Sequence, residues 1–201
     1  MTSTGGIYAL LVAAAVSASP LDPLTARLEY AAFLRGDFIQ TDVWALTLEE
    51  ETSTGILFLA PPDLFLLEYD DPPGKRMGFD GEHLYTVDAL FEQVILYEGS
   101  EPGSFLNMLE RFTDTTLVSS ICSSGDSLTV SLSGNLGEGI STMIVGYTMS
   151  DSLPWLFRTT DINNNITSYS IRGIEILSVQ PEAFFAMVVP EGFELIDSGD
   201  I

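Results

Sequence analysis

Histidine and cysteine occur once each in this chain, as His83 and Cys122, and lysine and arginine together number seven. Each scarcity removes a kind of chemistry. A single histidine with no cysteine beside it gives a histidine-based metal site or a Ser-His nucleophile pair little to work with. His83, standing just after a turn signal, reads as a partly exposed strand residue. A lone cysteine closes no internal disulfide, and Cys122 lies too far from the N-terminus to carry a lipid at a processing point. It reads as a small buried hydrophobe. Against the seven basic residues stand 29 acidic ones, for a formal net charge of −22. Lys75-Arg76 is the only adjacent basic pair, so the chain has no stripe for nucleic acid and is poorly suited to dock on anionic lipid headgroups. So large an excess serves solvation and self-repulsion.

Long apolar runs are scarce as well. The run from Ile7 to Val16, in "IYALLVAAAVSASP", is shorter than the roughly 20 residues of a membrane span. It leads into Val16-Ser17-Ala18, small residues at the spacing a signal peptidase reads. The expected organisation is a cleaved secretory signal over residues 1–18 and a single domain over residues 19–201. No Lys or Arg precedes the run, and residues 1–18 carry no charge, so the mature chain keeps all of it.

What the chain does have is apolar surface. Aliphatic and aromatic residues make up 46% of it and charged ones 18%, which excludes a disordered chain. "LDPLTARLEYAAFLRGDF" places Leu21, Leu24, Leu28 and Ala31/Ala32 at helical spacing, which predicts an amphipathic helix stopped by Gly36. The rest reads as strands and tight turns, apart from a short helix over Pro102–Phe112 whose apolar face is Phe105, Leu106, Leu109 and Phe112. Asp80-Gly81 predicts a two-residue hairpin turn. Ser123-Ser124-Gly125-Asp126 and Gly134-Asn135-Leu136-Gly137 punctuate further strands. Leu128, Val130 and Leu132 alternate with Thr129 and Ser131, as in a strand with one face to water. The order of helix, strands, short helix and strands predicts an α+β fold with a mainly antiparallel sheet.

One stretch resists the usual pattern. In "ILFLAPPDLFLLEY" both faces are apolar, whereas a half-exposed strand alternates. Either protein covers each face, or one face meets something else that is apolar. The same search yields no catalytic constellation. "DINNNITSYSIR" begins like a calcium loop at Asp161, Asn163 and Asn165, but Ile166 and Arg172 stand where that loop needs glycine and glutamate, so a hairpin turn is expected. Asn165-Ile166-Thr167 matches a short glycosylation pattern. The acidic residues form no singled-out pair for hydrolysis, and no glycine loop is shaped for phosphate. No catalytic residue, metal or cofactor is expected.

Residues 55 to 94, with Phe38 and Gln40 upstream, resemble the LolA family of periplasmic lipoprotein carriers. The resemblance lies in Gly55 opening a strand, Pro62 and Phe65 in "PPDLF", Pro72, Asp80 and Gly81 in "DGEHLY", and Gln93 in "LFEQV", all in the family's order. "FFAMVVPEGFELID" is similar to the family's closing strand. The resemblance implies a strongly curved, half-open β-barrel whose concave apolar face is covered by helices. Such a carrier is a periplasmic monomer. It receives the acyl chains of lipoproteins from an inner-membrane ABC release complex and passes them to an outer-membrane acceptor. The residues implied around the lipid cavity and its lid are Phe38, Trp44, Phe58, Phe65, Leu67, Tyr85, Phe105, Leu106 and Leu109. Gln40, Gly55, Pro62, Asp80, Gly81 and Gln93 are implied as structural motif residues. Two departures stand out: Pro61 occupies the place of an arginine implied in latching the lid, and Val87 that of a common tyrosine. Two other readings compete. One is an envelope lipid- or stress-sensing regulator on the same scaffold; the other is an enzyme, for which no constellation was found.

Overall fold

The computed structural model describes residues 18–61, 64–97, 114–137, 139–181 and 183–197. Among these, one helix, α1 (Asp22–Glu29), precedes twelve strands. The first six are β1 (Phe33–Val43), β2 (Glu50–Ala60), β3 (Leu64–Tyr69), β4 (Arg76–Phe79), β5 (Leu84–Asp88) and β6 (Gln93–Tyr97). A 3₁₀ turn at Thr115–Leu117 leads into β7 (Val118–Ser124), β8 (Ser127–Ser133), β9 (Ile140–Thr148), β10 (Pro154–Asp161), β11 (Ile166–Leu177) and β12 (Glu194–Asp197).

All twelve strands share one sheet, in the order β12-β6-β5-β4-β3-β2-β1-β11-β10-β9-β8-β7. Every neighbouring pair is antiparallel except β12 with β6. The edges β12 and β7 do not pair with each other, so the sheet is not closed into a barrel. Two meanders, β2 to β6 and β7 to β11, meet at β1. That strand pairs with β2 on one side and, across a long stretch of sequence, with β11 on the other, from Phe33↔Leu177 to Val43↔Ile166.

The resistant stretch is explained by this topology. Strands β2 and β3 lie inside the sheet and bury both faces. Leu57, Leu59, Phe65 and Leu67 join one core cluster, and Ala60 and Leu66, with Phe58 and Leu64 packed against them, belong to a second on the opposite face. The first face carries a cluster running from Phe79 on β4 to Val130 and Leu132 on β8, and it includes Leu21, Leu24 and Leu28. The second face is covered by the chain between β11 and β12, where Phe184, Phe185, Met187 and Phe193 pack on Phe33, Tyr85 and Val94. Only residues 194–197 of the expected closing strand pair as a strand; the ten before them form this cover.

Some local expectations need correction. The helix stops at Glu29 rather than at Gly36, because Phe33 onward is drawn into pairing with both β2 and β11. Gly36 sits within β1, where a Cβ would come within 3.1 Å of Ile171 Cγ2 and 3.3 Å of Ile174 Cγ1. The Asp80-Gly81 hairpin exists, but its loop runs over residues 80–83, closed by Phe79↔Leu84 pairing. The extra two residues are held by Asp80 Oδ1, which accepts the N–H groups of Glu82 (3.0 Å) and His83 (2.8 Å). Cys122 is exposed, not buried. It lies on β7, which among the described residues has a hydrogen-bonded neighbour on one side only. Leu136, read as part of a turn, is completely buried: its turn folds back over the β8–β9 end of the core. The 161–165 segment is the expected hairpin turn, with Asp161 Oδ1 accepting from the N–H groups of Asn163 and Asn165.

Candidate functional site

The first face of the sheet, the one α1 covers, changes character along β1. At the Phe33 end it is mainly apolar. Leu34, Leu57, Leu59, Ile171 and Ile174 close with Arg35, Gly36 and Pro154 around a cavity of about 10 Å³. That is room for at most one water molecule. Leu24 and Leu28 of α1, with Leu21 at its N-cap, are 0–1% exposed, so the helix is seated in the face rather than resting on it. The Tyr147 hydroxyl of β9 donates to the carbonyl of Pro20, 2.8 Å away and two residues before the helix. Burial and then the Asp22 carboxylate raise the Tyr147 phenol above its ordinary value, so this donor keeps its proton well above neutral pH. The helix entry is fixed further by Asp22 Oδ2, which accepts the Ser19 N–H at 2.9 Å.

In the middle of the face lies Phe38, 2% exposed. It meets Tyr69 edge-on at 5.3 Å and Tyr169 at 6.1 Å. Gly55 is opposite Phe38 across β1–β2 and opposite Tyr69 across β2–β3. A Cβ there would lie 2.0 Å from the Glu68 carbonyl oxygen and 2.8 Å from Phe38 Cε1. The Phe38 ring and the tight β2–β3 approach therefore both require that glycine.

Toward the far end of β1 the same face turns polar. The Tyr69 hydroxyl donates to Gln40 Oε1 at 2.7 Å, the Gln40 amide donates to Asp42, and Thr167 Oγ1 donates to Asp42 Oδ1 at 2.7 Å. Burial, and then the Asp42 charge, push the Tyr69 phenol up to about 12. Burial, Tyr69 and Asp42 also raise Tyr169. Lys75 Nζ stands 4.7 Å from the Tyr69 ring centre. The face thus grades from hydrocarbon under α1 to a connected hydrogen-bonded patch at the opposite end.

The residues singled out from sequence divide among several places. Phe38, Phe65 and Leu67 lie together in the cluster with α1. Phe58 and Tyr85 lie on the opposite face: Phe58 packs on Phe33 and Phe184, and the Tyr85 hydroxyl donates to the Phe185 carbonyl at 3.0 Å. In strands apolar on both sides, composition does not reveal which parity points inward. Trp44 is 40% exposed in the β1–β2 turn, outside either cluster. Phe105, Leu106, Leu109 and Pro62 lie outside the described residues. Gln40 and Gly55 organise the first face as described above. Asp80 and Gly81 form the β4–β5 loop, with Gly81 at φ +102°, and Asp80 Oδ2 also accepts the Met187 N–H at 3.5 Å. Burial opposes the Asp80 charge, but the His83, Glu82 and Met187 N–H groups outweigh it and hold the carboxyl below its usual range. Gln93 opens β6 beside Glu194. Val87 is buried in the second face.

Sequence reasoning missed Tyr69, Tyr169, Asp42, Thr167 and Tyr147. The only signal was shared parity: Gln40 and Asp42 follow Phe38 at every second position, as Tyr69 follows Phe65 and Leu67. The described residues contain no cluster of three His, Cys, Asp or Glu side chains able to hold a metal ion.

Residues 30–187 match the family model described as outer membrane lipoprotein carrier protein LolA. An outer-membrane lipoprotein carrier protein from Shewanella putrefaciens is 26% identical over 191 residues, covering 94% of this chain and 90% of its own. One from Shewanella baltica is 24% identical over the same shares. Among solved structures, an uncharacterized conserved protein from Thermus thermophilus superposes with a TM-score of 0.55 at 10% identity, covering 87% of this chain and 96% of its own.

Proposed function

The chain belongs to the LolA family of outer membrane lipoprotein carrier proteins, and on that premise we propose that it shelters the acyl chains of lipoproteins on the first face of its sheet. The observation that carries the reading is the gradient along that face. An acylated cargo has a hydrocarbon part and a polar attachment, and the face presents Leu34, Leu57, Leu59 and Ile171 at one end and Gln40, Asp42 and Tyr69 at the other. Hydrocarbon buried toward α1 gains about 0.8 kcal/mol per methylene without any charged contact. The ester and peptide end of the cargo then meets hydrogen-bonding groups rather than leucine.

The cavity among Leu34, Leu57, Leu59 and Ile174, of about 10 Å³, is by itself too small for an acyl chain. Cargo enters by displacing Leu21, Leu24 and Leu28, and the closing energy of α1 sets both affinity and release. Pro61, in the turn after β2, has no side-chain donor. The Tyr147–Pro20 hydrogen bond takes over the latching role assigned elsewhere to an arginine. The expected setting is the periplasm, reached by cleavage after Ala18. The protein there takes cargo from an inner-membrane release complex and hands it to an outer-membrane acceptor by successive binding exchanges, with no catalytic turnover.

Delipidated protein titrated with a fluorescent acyl probe tests the reading. Saturable binding that weakens when Leu57 is replaced by Ser, but not when the exposed Ile176 is, supports it. A folded protein that ignores acyl probes and acylated peptides alike has an ordinary core, and the carrier reading fails.

A further inference from the structure

The β1–β2 turn presents exposed apolar side chains. Leu46 is 95% exposed, Leu48 81% and Trp44 40%. Leu48 also adopts φ 59°, a left-handed conformation that favours glycine or asparagine and strains a leucine. The turn is nevertheless well closed, with Trp44 N–H donating to Glu49 O (3.0 Å) and Leu48 N–H to Trp44 O (2.8 Å). It is pinned to the neighbouring 161–165 turn by the Ala45 N–H, which donates to Asn165 Oδ1 at 3.0 Å. Asn165 is itself held by its amide, which donates to Asp161 Oδ2 at 2.8 Å. Two hairpin ends are thereby joined around an open cleft of about 920 Å³, lined by Trp44 and Leu46 on one side and Asn163 and Asn165 on another.

Charge identifies what fits there. Glu49, Glu50 and Glu51 line the same cleft, and no lysine or arginine is among its described lining residues. Two exposed leucines on a fixed turn, one lining the cleft beside these carboxylates and the other in a strained backbone, are costly unless something covers them. The complementary surface is apolar at its centre and cationic at its rim. An anionic bilayer is repelled by the glutamates, and a neutral one gains nothing from them.

We infer that the joined β1–β2 and β10–β11 hairpin ends are a docking platform for a basic, amphipathic segment of another protein, which seats apolar side chains on Trp44, Leu46 and Leu48 and pairs its cations with Glu49, Glu50 and Glu51. The inference is independent of the carrier reading, since the platform lies outside both core clusters.

The test uses fluorescence anisotropy with a dye-labelled peptide in which lysine and leucine alternate. A second peptide has serine in place of each leucine, and phosphatidylcholine vesicles serve as the lipid surface. The alternating peptide should bind saturably. The double variant Leu46→Ser, Leu48→Gly should weaken it roughly tenfold or more without lowering the unfolding temperature, because both side chains are exposed and glycine relieves the backbone. Converting Glu49, Glu50 and Glu51 to glutamine should weaken it similarly and flatten its salt dependence. Absence of saturable binding, equal affinity for the serine peptide, or equal affinity in the variants would overturn the inference; the last two indicate diffuse attraction to the net charge. Preference of the Trp44 turn for vesicles over peptide would replace it with a membrane contact.

Discussion

If α1 is the lid, weakening its latch must tighten cargo binding, which is the reverse of what damage to a binding site normally does. Tyr147→Phe is the least intrusive way to ask. The ring of Tyr147, 3% exposed, stays in the core, and only the oxygen that donates to the Pro20 carbonyl is removed. Pro20 is half-buried, so its carbonyl can turn to water instead. A neutral hydrogen bond of this kind contributes a net of about 0.5–1.5 kcal/mol. Where cargo binds only the open form, apparent affinity rises in proportion to the open population, so that loss converts to roughly two- to twelvefold tighter binding. The measurement is a titration of delipidated wild-type and Tyr147→Phe proteins with the same fluorescent acyl probe. Asp80→Ala provides a control that destabilises the opposite face through loss of the Glu82, His83 and Met187 contacts. The argument holds if the phenylalanine variant binds more tightly while the control does not. Unchanged or weaker binding by a folded Tyr147→Phe protein refutes the lid assignment, and a matching gain in the control reduces it to general loosening.

Gly55→Ala should destabilise the protein by about 3 kcal/mol or more in urea unfolding, since a Cβ 2.0 Å from a backbone oxygen can be relieved only by parting β2 from β3. Alkaline pH should lower stability through Tyr85, whose phenol burial, and secondarily Asp80, push up to about 12. A raised folded-state value stabilises fully below the unfolded value near 10, and that contribution is lost as pH climbs toward 12, so Tyr85→Phe should show a shallower loss in that window. Cys122 should react with a thiol reagent in the native protein about as fast as after unfolding; strong protection would contradict its exposed place on β7.

The fold was legible in sequence where parity or turn chemistry was unambiguous. Leu128, Val130 and Leu132 announced β8, and Asp80-Gly81 announced the β4–β5 hairpin. It was least legible where pairing partners were distant. Residues 30–36 continue the helical pattern of α1, and only pairing with β2 and with the distant β11, from Phe33↔Leu177 onward, draws the chain into β1. The candidate site was half legible for a related reason. Leu57, Phe58, Leu59, Phe65, Leu66 and Leu67 are chemically alike, and which of them face α1 is set by the cover over the other side. That cover is contributed by Phe184 and Phe185, more than a hundred residues later. The polar end was invisible because Gln40, Asp42, Tyr69 and Thr167 come from three strands and share no local motif.

The seam between β1 and β11 also sets a schedule. The first strand to be synthesised is also the most central, and its left-hand neighbour β2 follows at once. Its other neighbour exists only when residue 177 has been made, and the Phe184–Phe185 cover later still. Until then an emerging chain can form the β2 to β6 meander but holds an open edge and one bare face. Closing so long a loop is slow compared with forming local hairpins. The sequence therefore keeps itself unfinished almost to its last strand, and both faces of the sheet are buried only once the segment between β11 and β12 has been made.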